Sequence, residues 1–238
     1  MWDDYALELN KRYRVVCIDL LGHGQTDCHG YVHSMEDMAG AVNAVLKHLN
    51  VRRYIMIGHS MGGYVALAYG ELFPDNLIGL GLFYSTAQED SDEKKELRLR
   101  AIDAVKSHKK TFLKTSIQNL FYPENVQTYT SEIENLVSDA LQLSTQGIAA
   151  ALMGLRERPN REVLLHFGPY AVLIINGRRD GLIPIKFMEA QMKLPRVTHS
   201  LITENGHMGH IEDRDACLKM IKRFIIDTHE HHNNLPEN

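Results

Sequence analysis

Five apolar runs rich in β-branched residues punctuate the chain: RVVCID at 14–19, YIMIG at 54–58, LIGLGLFY at 77–84, AVLIIN at 171–176 and HSLIT at 199–203. They are continuous rather than alternating, the pattern of strands buried on both faces of a parallel sheet. Parallel neighbours need crossover connections, usually helical, and the intervals supply them. Ser34 with Asp37 forms a capping box, and Met38, Val42, Val45, Leu46 and Leu49 follow at helical spacing, which predicts a helix over 34–49. A second helix is predicted from Met61 to about Phe73, because Pro74 disfavours helical geometry in the residue before it. Pro184 sits just inside a third, running to Lys193, and Asp215 to Ile226 carries Cys217, Leu218, Ile221, Phe224 and Ile225 on one face. Such alternation predicts an α/β architecture, a doubly wound and mainly parallel sheet.

The rhythm breaks once. Between Tyr84 and Ala171 no strand signal occurs, while Ile133, Leu136, Val137, Ala140 and Leu141 recur at helical spacing. A structureless loop of that length is foreign to a compact domain. Three or four helices are therefore expected here, as a lobe at 87–160 inserted into a core formed by 1–86 and 161–238. The charged stretch QEDSDEKKELRLR reads as a solvated helix face. At 238 residues the chain is long enough to bury one sizeable core with such an insertion.

Charge narrows the partners. Lys and Arg total 26 against 30 Asp and Glu, without a long block of either sign, so no footprint for nucleic acid or an anionic membrane is present. The expected partner is a small molecule. No run approaches the roughly 18 to 20 apolar residues of a transmembrane helix. The opening MWDDYALELN has neither the basic start nor the apolar centre of a signal peptide, so a reducing, cytoplasmic setting is expected. Cys17, Cys28 and Cys217 fit neither a disulfide framework nor a metal motif. The cluster HEHH at 229–232 lies in a polar tail, read as solvated disorder rather than a metal site, and no metal is assigned.

The run at 54–58 continues into Gly58-His59-Ser60-Met61-Gly62, a G-x-S-x-G pattern between a predicted strand and a predicted helix. Such a turn raises a serine hydroxyl at the carboxyl edge of the sheet, where open α/β folds place their ligands. A serine that merely caps the following helix is the competing reading. To attack a carbonyl, a serine needs a general base, and the base needs an acceptor to hold its tautomer. Both residue types stand at later strand ends. AVLIIN runs into GRRDG, which places Asp180 just past the strand, and HSLIT runs into ENGH, which places His207 at the same edge.

In that order the segments DLLGHGQTD, GHSMGG, GRRDGLIP and GHMGHIE resemble the α/β-hydrolase superfamily over nearly the whole chain. The resemblance implies Ser60 as nucleophile, His207 as base and acid, Asp180 as its orienting carboxylate, and the backbone N–H of Met61 as an oxyanion donor. It implies a serine hydrolase acting on an ester or related acyl bond of a small to medium apolar substrate, with no organic cofactor. Dehalogenating and epoxide-opening relatives carry an aspartate at the elbow, so those reactions are disfavoured. A ligand receptor and an acyltransferase on the same fold are the alternative functions. His210, Asp19, His23 and His59 are read as local structure, and Phe121, Tyr122, Leu152 and Met153 as candidates to roof the pocket. Relatives also carry strands ahead of the run at 14–19 and a His-Gly loop that supplies a second oxyanion donor. The chain opens after that point, so an N-terminally truncated version of the fold is expected, with a missing strand between 14–19 and 54–58.

Overall fold

Strands β1 (Tyr54–His59), β2 (Leu77–Phe83), β3 (Ala171–Gly177) and β4 (Val197–Thr203) form one parallel sheet whose spatial order follows the chain, β1-β2-β3-β4. The computed structural model describes residues 1–234. Helices α1 (Asp3–Leu9) and α2 (Met35–His48) precede the sheet, and α3 (Met61–Leu72) crosses from β1 to β2. Between β2 and β3 lie α4 (Asp92–Gln118), α5 (Thr130–Gln142), α6 (Thr145–Glu157) and α7 (Val163–Phe167). Helix α8 (Ile185–Gln191) joins β3 to β4, and α9 (Gly209–Glu212) and α10 (Arg214–Asn233) follow.

Alternation along each strand divides the core between the two faces of the sheet. Val172 and Ile174 of β3 pack with Leu80 and Leu82 against Met38, Leu67, Leu165 and Met188 from α2, α3, α7 and α8. Leu173 and Ile175 face the other way, toward Tyr5 of α1 and Ile221 and Phe224 of α10. Each face buries its own apolar layer, and this is what the continuous apolar runs encode. The local signals hold where the geometry is local. Ser34 is the N-cap of α2, its Oγ accepting from the Asp37 amide at 3.0 Å. Pro184 stands one step outside α8, as its N-cap.

Two expectations fail. The run at 14–19 is extended but forms no strand: it takes no part in the ladder, and the outer edge of β1 pairs with nothing among the described residues. Apolar patterning reports burial, and Ile18 and Leu20 do lean on the core, whereas a strand also needs a neighbouring edge. A cavity of about 270 Å³ separates Cys17, Ile18 and Leu20 from Ala41 and Val45 of α2. HEHH, expected to be disordered, lies within α10, whose buried stripe of Ile221, Phe224 and Thr228 carries the helix through the polar residues that follow. Residues 235–238 of that predicted tail lie outside the described residues.

The excursion between β2 and β3 has one apolar cluster of its own, with Val105, Leu113 and Ile148, and a second in which Phe121 and Ile133 pack with Met208 from beyond β4. Its two ends meet: the Arg161 amide donates to the Ala87 carbonyl at 2.8 Å, and Arg158 pairs with Asp90 at 2.8 Å, both side chains almost fully buried. Among the described residues no helix is long and apolar enough to cross a membrane, and no three His, Cys, Asp or Glu side chains converge as ligands would.

Candidate active site

Because all four strands are parallel, their carboxyl ends share one edge. Register places His59, Phe83, Ile175 and Leu201 in one row across the sheet. Ser60, Asp180 and His207 all follow that row on the short loops leaving β1, β3 and β4.

Ser60 occupies a turn that a non-glycine residue adopts only under constraint, with φ 50° and ψ −115°. The constraint is visible. Its amide donates to Phe83 O at 2.9 Å on the neighbouring strand, and its carbonyl accepts from Gly63 N at 2.9 Å in the first turn of α3. A Cβ on Gly58 would overlap the backbone of Gly62 and Gly63, so strand and helix approach as closely as they do only because residue 58 lacks one. At Gly62, by contrast, a Cβ would meet nothing within 4 Å, and its contribution to the elbow is its backbone. Met61 is the first residue of α3, and its N–H makes no backbone hydrogen bond among the described residues, as helix geometry dictates for a first-turn amide. The Ser60 side chain does not cap α3.

Asp180 and His207 form a buried pair, Oδ2 accepting from Nδ1 at 2.7 Å. The other Asp180 oxygen accepts from the amides of Leu182 at 2.8 Å and Ile183 at 3.1 Å, which fixes the carboxylate against the ring. With Nδ1 as donor, Nε2 is the basic nitrogen, and it is buried without a hydrogen-bond partner. No hydrogen bond joins Nε2 to Ser60. The serine is connected to the pair through its chain neighbour: His59 Nε2 donates to His207 O at 2.9 Å, and the two rings lie 5.1 Å apart.

Aromatic packing supports the ring from below. Tyr84, another residue at positive φ (50°), sits with its ring 5.9 Å from that of His207, and its hydroxyl pairs with Thr203 Oγ1 at 2.5 Å. Burial pushes the Tyr84 hydroxyl well above the usual range, so it stays protonated. His59 and His210 are both held neutral, each chiefly by burial, His210 down to about 4. Their rings lie 5.2 Å apart. Tyr84 leaves one signal in the sequence, a bulky polar aromatic directly after a buried strand. Phe121, expected to roof a pocket, packs with Ile133 of the lobe and with Met208, the residue after His207. Tyr122 stacks under the Arg179 guanidinium, its ring centre 4.5 Å from the guanidinium carbon, beside the loop that carries Asp180.

The profile of the alpha/beta hydrolase fold family matches residues 1–214. A solved thermophilic esterase from Thermogutta terrifontis superposes with a TM-score of 0.89 at 30% identity, covering 96% of this chain and 85% of that one. A putative esterase/lipase of Haemophilus influenzae is 27% identical over 228 residues, 92% of this chain and 76% of its own length. The acetyltransferase component of the acetoin cleaving system of Pseudomonas putida is 23% identical over 222 residues, 89% of this chain, and this chain spans 56% of that protein's length. With a family match over most of its length and a close structural relative, the chain belongs to the alpha/beta hydrolase fold family.

Proposed function

We propose that the protein is a serine hydrolase that cleaves an ester or related acyl bond of a small to medium apolar substrate, with carboxylesterase activity as its assay signature. The observation that carries this reading is the buried Asp180–His207 pair at the same sheet edge as a strained, half-buried Ser60. Relatives bearing the names esterase and esterase/lipase support it.

In this reading His207 Nε2 takes the proton as Ser60 Oγ attacks the carbonyl carbon, and the C=O electron pair moves to oxygen. The Met61 N–H, at the positive end of α3, faces the oxyanion. Collapse breaks the bond to the leaving group, which takes the proton from Nε2. Water then repeats the sequence on the acyl-serine, releasing the acid and restoring Ser60. Asp180 holds the Nδ1–H tautomer and stabilises the imidazolium without accepting its proton. The chemistry uses no cofactor or metal, and the lobe at 87–160 covers the acyl chain and selects it.

The test is covalent. A fluorophosphonate probe labels the parent protein, and Ser60→Ala abolishes both labelling and ester turnover; undiminished labelling of that variant overturns the assignment. Transfer of the acyl group to an alcohol or thiol in place of water is the second reading, supported by the relative named as an acetyltransferase component. Product partitioning with a competing acceptor separates the two.

A further inference from the structure

Glu212 closes α9, five residues after His207, and the serine-hydrolase chemistry gives it no role. The residue is 9% exposed, and its carboxylate has no cationic partner among the described residues. Burying such a group is costly unless hydrogen bonds replace its water. They do, from two separate parts of the chain. Oε1 accepts from the Tyr122 amide and from Asn125 Nδ2, both at 2.9 Å, in the segment that joins α4 to α5 of the lobe. Oε2 accepts from the amide of Gly206 at 3.2 Å, the residue immediately before His207.

The backbones of the same two segments also touch directly. The His207 amide donates to the Leu120 carbonyl at 2.7 Å. A Cβ on Gly206 would lie 2.6 Å from Tyr122 N and 2.8 Å from Leu120 O. Asn125 Nδ2 reaches Asn205 Oδ1 at 2.9 Å. Residues 205, 206 and 207 are thus each tied to residues 120–125, and one carboxylate bridges the two segments.

Resting on the serine-hydrolase reading, we propose that Glu212 is a positioning residue: it sets the backbone from which the His207 imidazole projects, and it couples that backbone to the 120–125 joint of the lobe. Asp180 fixes the ring through Nδ1 and His59 fixes the carbonyl oxygen of His207, while Glu212 fixes the chain that enters the residue. A lobe that shifts on a bound acyl chain therefore moves Nε2 relative to Ser60, so substrate size registers in kcat as well as in KM.

Glu212→Gln keeps the volume and turns one acceptor into a donor, which then faces either the Gly206 amide or the Tyr122–Asn125 pair. Displacement of a reacting group by about 1 Å costs on the order of 100-fold, so kcat is expected to fall about 10- to 100-fold with KM within about threefold. Hydrogen exchange at the Gly206 and His207 amides, which needs no turnover, is expected to accelerate about tenfold or more. Asn125→Ala removes the amide that donates to both Glu212 Oε1 and Asn205 Oδ1 while the Tyr122 and Gly206 amides still hold the carboxylate, and it shows the same pattern, reduced to several-fold, should Glu212→Gln fail to fold. A purely structural role predicts a lower Tm with kcat per phosphonate-titrated site unchanged, and that result overturns the proposal. So does a loss of kcat without faster exchange at these two amides. If Ser60→Ala retains full turnover, the hydrolase reading fails instead, and the exchange data still report whether Glu212 holds the loop.

Discussion

Acid is expected to weaken this fold through a histidine that the proposed chemistry leaves idle. His210 is 7% exposed, its Nδ1 has no hydrogen-bond partner, and its ring packs against His59 at 5.2 Å and against Trp2 and Phe83, each at 6.4 Å. Burial holds it neutral, with its pKa lowered from 6.5 to about 4. Between those values the unfolded chain binds a proton that the folded protein refuses. The stability contributed by neutral His210 is therefore complete above pH 6.5 and is lost as the pH falls toward 4. Integrated from about pH 7 to about pH 5, this one group removes about 2 kcal/mol. His59, lowered well below its ordinary value mainly by burial, acts with the same sign. His210→Phe supplies a ring of similar size that cannot titrate and leaves no polar atom stranded. Urea unfolding of both proteins at the two pH values measures the difference. The variant is expected to match the parent near pH 7 and to lose about 2 kcal/mol less on acidification. Equal acid losses in the two proteins would refute the reasoning. So would a variant several kcal/mol weaker at pH 7, which would mean that Nδ1 is satisfied in solution.

Two further perturbations probe the frame around the site. Gly58→Ala forces a methyl into the backbone of α3 and is expected to cost about 3 kcal/mol, whereas Gly62→Ala enters open space and gains up to about 1 kcal/mol from helix propensity; thermal unfolding separates them, and equal Tm values would contradict the close approach at residue 58. Arg158→Met leaves Asp90 buried with only Arg98 at 3.1 Å and is expected to cost about 3 to 5 kcal/mol. The double variant Arg158→Met/Asp90→Asn should recover part of that loss in denaturant titrations, and a double variant no more stable than the single one would show that the pair is not the source.

The runs that became β2 and β3 were legible because a strand buried on both faces is apolar at nearly every position, a property written in consecutive residues; β4 carries it only in part and leaves Thr198 and Ser200 exposed. The run at 14–19 has that same property and is no strand, since pairing depends on a neighbour that sequence pattern does not describe. Asp180 and His207 could be placed because a few residues separate each from the end of its strand, and parallel strands share an edge. Glu212 stood within a segment already read as significant, yet its partner Tyr122 lies 90 positions away and is reached through a backbone amide, which leaves no mark on residue type. Tyr84 was hidden for a related reason: its role comes from a strained φ and from Thr203, 119 residues distant. The α10 extension through HEHH shows the reverse case, where local composition suggested a tail and a buried stripe upstream kept the helix going.

The meeting of Ala87 with Arg161, reinforced by Arg158 and Asp90, has a consequence for how such a protein can change. The polypeptide leaves and re-enters the sheet through what is effectively one gate, so the core bears the closure of the excursion whatever its content. Doubling the length of a flexible closed segment costs only about 0.6 kcal/mol. Helices can therefore be added, shortened or exchanged beyond the gate with little penalty to the sheet. Two attachments limit that freedom: α6, whose Ala151 packs into the core beside the sheet and whose Ala150 carbonyl accepts from the His33 amide at 3.0 Å, and the short stretch at 120–125, which any replacement would have to reproduce to keep its grip on the histidine loop.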